Sequence, residues 1–552
     1  MSIAVGIDLG TTNSVVAAAT ATGVEFALGL HGERIHPSVV AYPPEGGVLV
    51  GLDAKARRPT EPTTTIYSAK RLIGQNIRSP LVQLALTGLP YEVREGPNQQ
   101  PLIVVRDRLV PVTEISAHVL RHLKEATERQ LGQPVTQAVI TVPANFSDAQ
   151  RQATKEAGRL AGLEVLRLLN EPTAAALAYG FGQRKDEIVC VFDFGGGTFD
   201  VSLLAIRDEV FEVLATDGDF FLGGDDIDRV IAESLASELN RVFRVDPRRD
   251  PGLMTRLALA AEEVKIHLSD HASAEGTIDG LVYGNRELSL PFSLTRRALE
   301  DMMSGFVERS IELCRGVLTA SRLSPQQISE VVCVGGTSRI PLVRRRLAEL
   351  FGREPAARIN PDEVVAHGAA IQAGSLSGSL FAGPGMASKN APLPAVSTAG
   401  GRGGAASAPT LMGLPAPALP AAIPPRPILL DVTPASLRIA TAGGYTEQIL
   451  DKNLPTPIER TRTFTTAHDH QTLVVIECCR GEARRFADNE PLGQLVLEGL
   501  PPRRRGEVRI DVTFRVDTDG ILHVRARDAD TGIAREATLQ VLGAPTATAG
   551  AA

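Results

Sequence analysis

Tryptophan is absent, and aromatic residues make up only 4% of the 552-residue chain. A core dominated by large rings is therefore not expected. Lysine is also scarce: eight of the 57 basic residues are Lys, so each one stands out. The five cysteines, at 190, 314, 333, 478 and 479, form an odd set with no CxxC spacing. This argues against a disulfide framework and against a zinc module, and the histidines show no metal spacing either. Cys478 and the adjacent Cys479 are expected to alternate across a strand. Charge of neither sign dominates: the net charge is −7 and the pI about 5.9, which leaves no electrostatic case for a dedicated nucleic-acid binder. No apolar run reaches membrane-spanning length, and the opening MSIAVGIDLG carries no basic leader. Neither a transmembrane helix nor a signal peptide is expected, and a reducing cytoplasm fits best.

What is present reads as folded protein. Apolar residues are 43% and charged residues 22%, and at roughly 100–200 residues per domain the length allows three to five domains. Composition shifts sharply once: residues 377–427 hold 12 Ala, 10 Pro and 8 Gly, three basic residues and no acids. That stretch reads as a disordered, partly extended tether. Before it, apolar strands alternate with amphipathic helices, as in an α/β domain. One such helix places Ile115, Val119, Leu123 and Ala126 on a single buried face. After it, the period becomes two: Val508, Ile510, Val512, Phe514 and Val516 alternate with polar residues. Asp519-Gly520 then makes a hairpin turn, and Leu522, Val524 and Ala526 alternate again. About eight short strands fit between 430 and 542, which predicts an all-β sandwich. VDTDGI (516–521) lacks the Gly and Glu placement of a calcium loop and is read as a hairpin turn; Arg503–Arg505 reads as a solvated turn.

An internal repeat carries the chemistry. IAVGIDLGTTNSVVAAAT (3–20) and EIVCVFDFGGGTFDVSLLAI (187–206) each run from an apolar strand ending in Asp, through a Gly/Thr turn, into a second apolar strand. Two lobes of the same topology, with their turns facing across a cleft, are expected. Glycine lets backbone N–H groups approach an anion, and threonine adds hydroxyl donors. Thr11, Thr12, Gly195, Gly196, Gly197 and Thr198 are thus suited to the β- and γ-phosphates of a nucleotide. Asp8, Asp193 and Asp200 beside the turns would repel phosphate unless a cation intervenes, which implies Mg²⁺. No Lys follows a Gly, so a Walker A loop is excluded. A third turn, VVCVGGTSRIP (331–341), offers Gly335 and Gly336 for close approach of an adenosine, with Arg339 stacking on the base.

Long motifs then point to one family. GIDLGTTNS (6–14), KRLIG (70–74), VITVPANFSDAQRQATKEAG (139–158), NEPTAAALAYG (170–180), DFGGGTFDVS (193–202), LGGDDID (222–228) and NPDEVVAHGAAIQAG (360–374) resemble the seventy-kilodalton heat-shock chaperone family in its bacterial DnaK-like form. The resemblance covers about 1–376 and resumes at 428–542. It implies a two-lobed actin-like ATPase domain (1–376), the tether (377–427), a separate all-β peptide-binding sandwich (428–543) and a tail (544–552). The implied activity is that of an ATP-dependent chaperone for extended hydrophobic segments of unfolded proteins. ATP/ADP, Mg²⁺ and K⁺ are the implied cofactors. A J-domain co-chaperone and a nucleotide exchange factor are the implied partners.

By matching motif, Lys70 falls at the family's catalytic lysine and Thr198 at a γ-phosphate contact. Glu171 and Asp193 would hold the metal's water shell; Asp8 and Asp200 would hold monovalent cations and orient the attacking water. Gly10, Thr11, Thr12, Asn13, Gly195–Gly197, Gly335, Gly336 and Asp362 would line the nucleotide site, with Glu262, Lys265 and Ser269 on its adenosine side. Pro143, Arg151 and Asp431 match interdomain coupling positions. ILLD (428–431) matches the linker that docks on the ATPase domain in the ATP state. Ala442 and Ala467 would arch over a bound peptide backbone, and Val474 would line the pocket for one apolar side chain; a plain core valine is the other reading of Val474.

This chain also departs from the family's pattern. The connection is longer: extending it from about 10 to 50 residues costs roughly 1.4 kcal/mol in closure entropy, so weaker peptide stimulation of the ATPase is expected, and deleting 380–425 would test it. A helical lid is not expected, so bound peptide should exchange quickly. The arch is Ala/Ala, Asn145 stands where Tyr is expected, Ser147 where Asn is expected, and Arg438 where Gly is expected. Arg151 and Arg167 match the J-domain contact surface. Two other function classes stay open from the residues alone: a sugar kinase of the same superfamily, and a nucleotide-binding scaffold that does not cycle.

Overall fold

The computed structural model describes residues 3–20, 23–183, 186–356, 360–378 and 426–538. The expected tether and tail fall almost wholly outside these residues.

The apolar strands of the repeat build two sheets of matching design. In the first lobe, Ile3–Asp8 hairpins onto Asn13–Thr20, which pairs with Gly23–Phe26. On the other side, Ile3–Asp8 runs parallel to Val135–Val142, and that strand runs parallel to Glu164–Asn170. In the second lobe, Asp186–Phe194, Phe199–Arg207 and Val210–Asp219 form the equivalent meander, with Glu330–Val334 parallel to the first of them. Strands buried on both faces read as continuous apolar runs, which is why both segments lack alternation. Each hairpin turn therefore emerges at the end of a buried strand, at the mouth of the cleft between lobes.

Helices cover both sheets. Val112–Leu131 buries Ile115, Val119, Leu123 and Ala126 against the first lobe, the face expected from their spacing. Asp148–Leu160 starts at a capping box: Ser147 Oγ accepts from Gln150 N, and Gln150 Oε1 accepts from Ser147 N. The serine that departs from the family's wording is thus a competent N-cap. Each lobe has its own apolar core, the second built in part on the ring cluster Phe192, Phe194 and Phe199, and a third core, which includes Val139, Ala174, Phe211 and Val334, joins them.

Downstream, eight strands make two four-stranded sheets packed as a sandwich. Ile510, Val512, Phe514 and Val516 of one strand, and Leu522, Val524 and Ala526 of the next, face inward as alternation requires. The alternation expected at the cysteine pair fails. A β-bulge falls between Cys478 and Cys479, and both side chains are buried. All five cysteines are buried and unpaired.

The segment Ile428–Val432 belongs to neither sandwich sheet. It adds to the second lobe's sheet, parallel to Val210–Asp219, with Val210 opposite Ile428, Phe211 opposite Leu429 and Glu212 opposite Leu430. Leu429 and Val432 enter the core that joins the lobes, while Ile428 and Leu430 face outward. Its other edge pairs with Pro455–Thr456. One short strand thus ties the sandwich to the α/β domain.

Candidate functional site

The two Gly/Thr turns meet in the closed cleft. One cavity is lined by Asp8, Gly10, Thr11, Thr12, Asn13, Lys70, Glu171, Asp193, Gly195, Gly196, Gly197, Thr198, Gly335, Gly336 and Asp362. Most of the residues expected to hold phosphate and metal are therefore together. The turns are packed so tightly that a Cβ on Gly196 would lie 1.9 Å from Thr12 Oγ1, and one on Gly197 2.3 Å from Thr11 Cγ2. Only glycine fits there.

Lys70 sits on a short turn, Ala69–Arg71, and its Nζ donates to Glu171 Oε1 at 2.7 Å, both side chains being buried. The same Nζ lies 5.4 Å from the centre of the Phe146 ring. Around this pair stand three more carboxyls. Burial, then repulsion from Glu171, raises Asp8 to about 7. Burial and the neighbouring carboxylates Glu171, Asp200 and Asp8 push Asp193 well above the usual range; burial and Glu171 do the same to Asp200. Four carboxyl groups facing one lysine are short of positive charge, and a bound cation would reverse each of these shifts. The donor set thus suits a hard, oxygen-liganded cation. Among the described residues, no three His, Cys, Asp or Glu side chains form a direct metal cage.

Asp200 lies behind the cavity and accepts a hydrogen bond from Asn145 Nδ2 at 2.9 Å. Glu262, Lys265 and Ser269, expected on the adenosine side, do not line this cavity. Lys265 Nζ is taken by Asp228 at 2.7 Å and by Gly224 O, and Ser269 Oγ donates to Lys265 O. Glu262 bridges the cleft to Lys55 at 3.1 Å. Arg339, expected to stack on the base, forms an ion pair with Asp362 and a hydrogen bond to Asn360 Oδ1. Asp362 thus offers a charged partner to this partly exposed cation.

The interdomain residues form a second centre. Arg151 is buried and donates to Ala144 O, Phe146 O, Asn170 Oδ1 and Asp519 O. Burial lowers its pKa from the usual guanidinium value. Asp431 of the linker strand accepts from Asn170 Nδ2 at 2.8 Å and from Thr173 Oγ1. Pro143 is buried at the end of Val135–Val142, where its carbonyl accepts from Phe146 N. The Asp519-Gly520 turn is more than a hairpin connection: it packs against the α/β domain. Asp519 accepts from Lys155 Nζ at 2.7 Å and from Leu168 N at 3.1 Å. Gly520 has φ 74° and lies flat against the Arg151 guanidinium. Asp148 accepts from Leu522 N at 2.7 Å. Further along, Lys452 pairs with Asp217, Asn453 Oδ1 accepts from Thr216 N, and Arg480 donates to Asn145 O. Asp519 reads only as a turn residue, and Asp148, Asn170, Thr173, Lys452, Asn453 and Arg480 were not singled out in the sequence, because local patterns say which face is buried but not what lies across the fold.

On the sandwich, Val474 is half-buried at the margin of the core and points to the same side as Ile476, while Leu473 and Val475 face outward. Ala442, in the turn Ala442–Gly444, and Ala467 are both exposed. Arg438, where glycine is expected, is buried and holds Thr446 Oγ1 and Gln448 Oε1 on the neighbouring strand.

Two lobes of one topology, their Gly/Thr turns facing each other, and a β-sandwich joined by a shared strand define an actin-like ATPase domain followed by an all-β domain. Residues 4–385 and 425–548 match the family model described as Hsp70 protein, and the chain belongs to that family. Its members are chaperones and ATPases. Among the described residues, no helix is long and apolar enough to cross a membrane.

Proposed function

We propose that this protein hydrolyses ATP and uses the cycle to bind and release extended apolar segments of unfolded polypeptides. The observation that carries this reading is Lys70, held 2.7 Å from Glu171 at the floor of the cavity where the two Gly/Thr turns converge. Mg²⁺, when bound, would neutralise phosphate charge, and Glu171 and Asp193 would hold its water shell. Asp8 and Asp200 are the positions for K⁺. Thr11, Thr12, Thr198 and the glycine N–H groups bind and orient the phosphates. Lys70 stabilises charge on the γ-phosphate and positions the attacking water, so catalysis rests on positioning and electrostatics.

Coupling to peptide runs through the linker strand and the Arg151 centre. A sandwich docked in this way belongs to the ATP state, and hydrolysis would release it to hold peptide between Ala442, Ala467 and Val474. A J-domain co-chaperone would act at the Arg151–Arg167 surface, and an exchange factor would open the cleft that Lys55 and Glu262 close. The test is ATP turnover with and without an extended apolar peptide, in wild type and Lys70→Ala. Peptide-stimulated turnover that disappears in the variant is expected; turnover that needs a sugar, or none at all despite tight ATP binding, would overturn the reading.

A further inference from the structure

Lys70 lies on a turn that its own lobe holds only in part. Ser68, which caps the turn, has φ 53° and ψ 21°, a left-handed conformation that a serine adopts only when something holds it there. What holds it comes from the opposite lobe: Ser68 Oγ donates to Asp225 Oδ2 at 2.6 Å. The other oxygen of Asp225 accepts from Thr12 Oγ1, at 3.2 Å, in the first phosphate turn. On the far side of Lys70, Arg71 makes a two-pronged pair with Asp226, at 2.5 and 3.2 Å, and its Nε donates to Gly197 O at 2.9 Å. Asp225 and Asp226 open the helix Gly224–Phe243, and Asp226 caps that helix through Gly223 N. Neither Ser68 nor Arg71 lines the cavity of the phosphate turns.

We propose that Ser68 and Arg71 are positioning residues for Lys70, and that they make delivery of the lysine conditional on lobe closure. This inference rests on the ATPase reading above. The side-chain hydrogen bonds of Ser68 and Arg71, on the two flanks of Lys70, all cross the cleft. When the lobes part, these bonds break together, Ser68 leaves its left-handed conformation, and Nζ loses its place against Glu171. When they close, the bonds re-form as a set, because both carboxylates ride on one helix terminus. Hydrolysis is thereby suppressed in an open cleft even with ATP bound, since a displacement of about 1 Å in a positioned group costs on the order of a hundredfold in rate.

The test is single-turnover ATP hydrolysis at saturating enzyme, with ATP affinity and melting temperature measured in parallel. Ser68→Ala is expected to slow hydrolysis about tenfold with ATP affinity changed by less than about threefold, because the loss falls on the transition state. Ser68→Asn should recover most of the rate: asparagine tolerates the left-handed region, and its amide can donate to Asp225. Arg71→Lys, which keeps the charge but loses the fork, should show the same split between rate and affinity. In the double variant Ser68→Ala/Lys70→Ala, hydrolysis should be no slower than in Lys70→Ala alone, because Ser68 acts only through Lys70. A wild-type rate in Ser68→Ala, an equal slowing of the Lys70→Ala background, or an affinity loss that tracks the rate would each overturn the proposal. Negligible turnover in wild type and Lys70→Ala alike would instead remove the ATPase reading, and this inference with it.

Discussion

Replacing Asp519 with alanine should undock the sandwich. The Asp519 carboxylate is 13% exposed and accepts from two groups of the α/β domain, the backbone N–H of Leu168 and Lys155 Nζ. Leu168 is buried, so its N–H is left without a partner in the docked variant but is hydrated once the domains part. A lost charge-assisted bond to a buried donor costs about 2 kcal/mol. The ion pair to Lys155 is nearly half-exposed at the lysine end and adds under about 1 kcal/mol. Together these come to about 3 kcal/mol, or about a hundredfold in the docking equilibrium. Docking is intramolecular, so the change is read without dilution effects. The assay is hydrogen exchange of the linker strand in the presence of ATP, because the Ile428 N–H bonded to Glu209 O is protected only while the strand is paired. Protection should fall about a hundredfold in Asp519→Ala. In Asp519→Asn, which keeps an acceptor for Leu168, it should fall about tenfold; in Lys155→Ala, less than about fivefold. Unchanged protection in Asp519→Ala, or equal losses in the alanine and asparagine variants, would refute this reasoning.

Docking should also depend on pH. Burial raises Asp148 from 3.8 to about 6 against the sandwich. A carboxyl raised in the docked form takes up a proton on docking, so docking strengthens as pH falls through 6 and the gain is lost as pH rises. The change between pH 7 and 5 should be about tenfold, and Asp148→Asn should flatten it in the same exchange assay. Mg²⁺-ADP at about a hundred times its Kd should stabilise the ATPase domain by about 2.7 kcal/mol, seen as a rise of several degrees in its calorimetric unfolding midpoint; no rise would count against the nucleotide site. Val474→Phe should fill the margin of the sandwich core and weaken binding of an extended apolar peptide at least about tenfold, with overpacking limiting the loss of sandwich stability to about 1–3 kcal/mol; fluorescence anisotropy of a labelled peptide and a thermal melt would check both.

Much of the molecule was legible in one dimension because the signals are local. A strand buried on both faces must be apolar throughout, so the two runs that end in Asp8 and Asp193 announced two equivalent lobes. A turn in which a Cβ would collide with Thr11 or Thr12 must be glycine, so GGGT announced the tight turn of the second lobe. Period-two alternation from Val508 to Ala526 announced a sandwich with one wet face. At Cys478 and Cys479 the same rule failed, because an inserted residue shifts the register without any mark in the pattern.

Partnerships across the fold were decided elsewhere. Asp519 and Gly520 read as a turn, and only tertiary packing sets that turn on Arg151. Arg339 read as a residue for the base, and only the fold brings Asp362 beside it. Lys70 could be named from its motif, but its surroundings could not: residues 101 and 155–157 positions away in the chain supply its counter-ion and hold its neighbours. The sequence by itself determined which segments could be buried strand, phosphate turn or sandwich, since backbone sterics and apolar burial act over a few residues. Only the tertiary structure decided which charges meet, because a carboxylate and a cation find each other through space, once the lobes and the sandwich have closed around them.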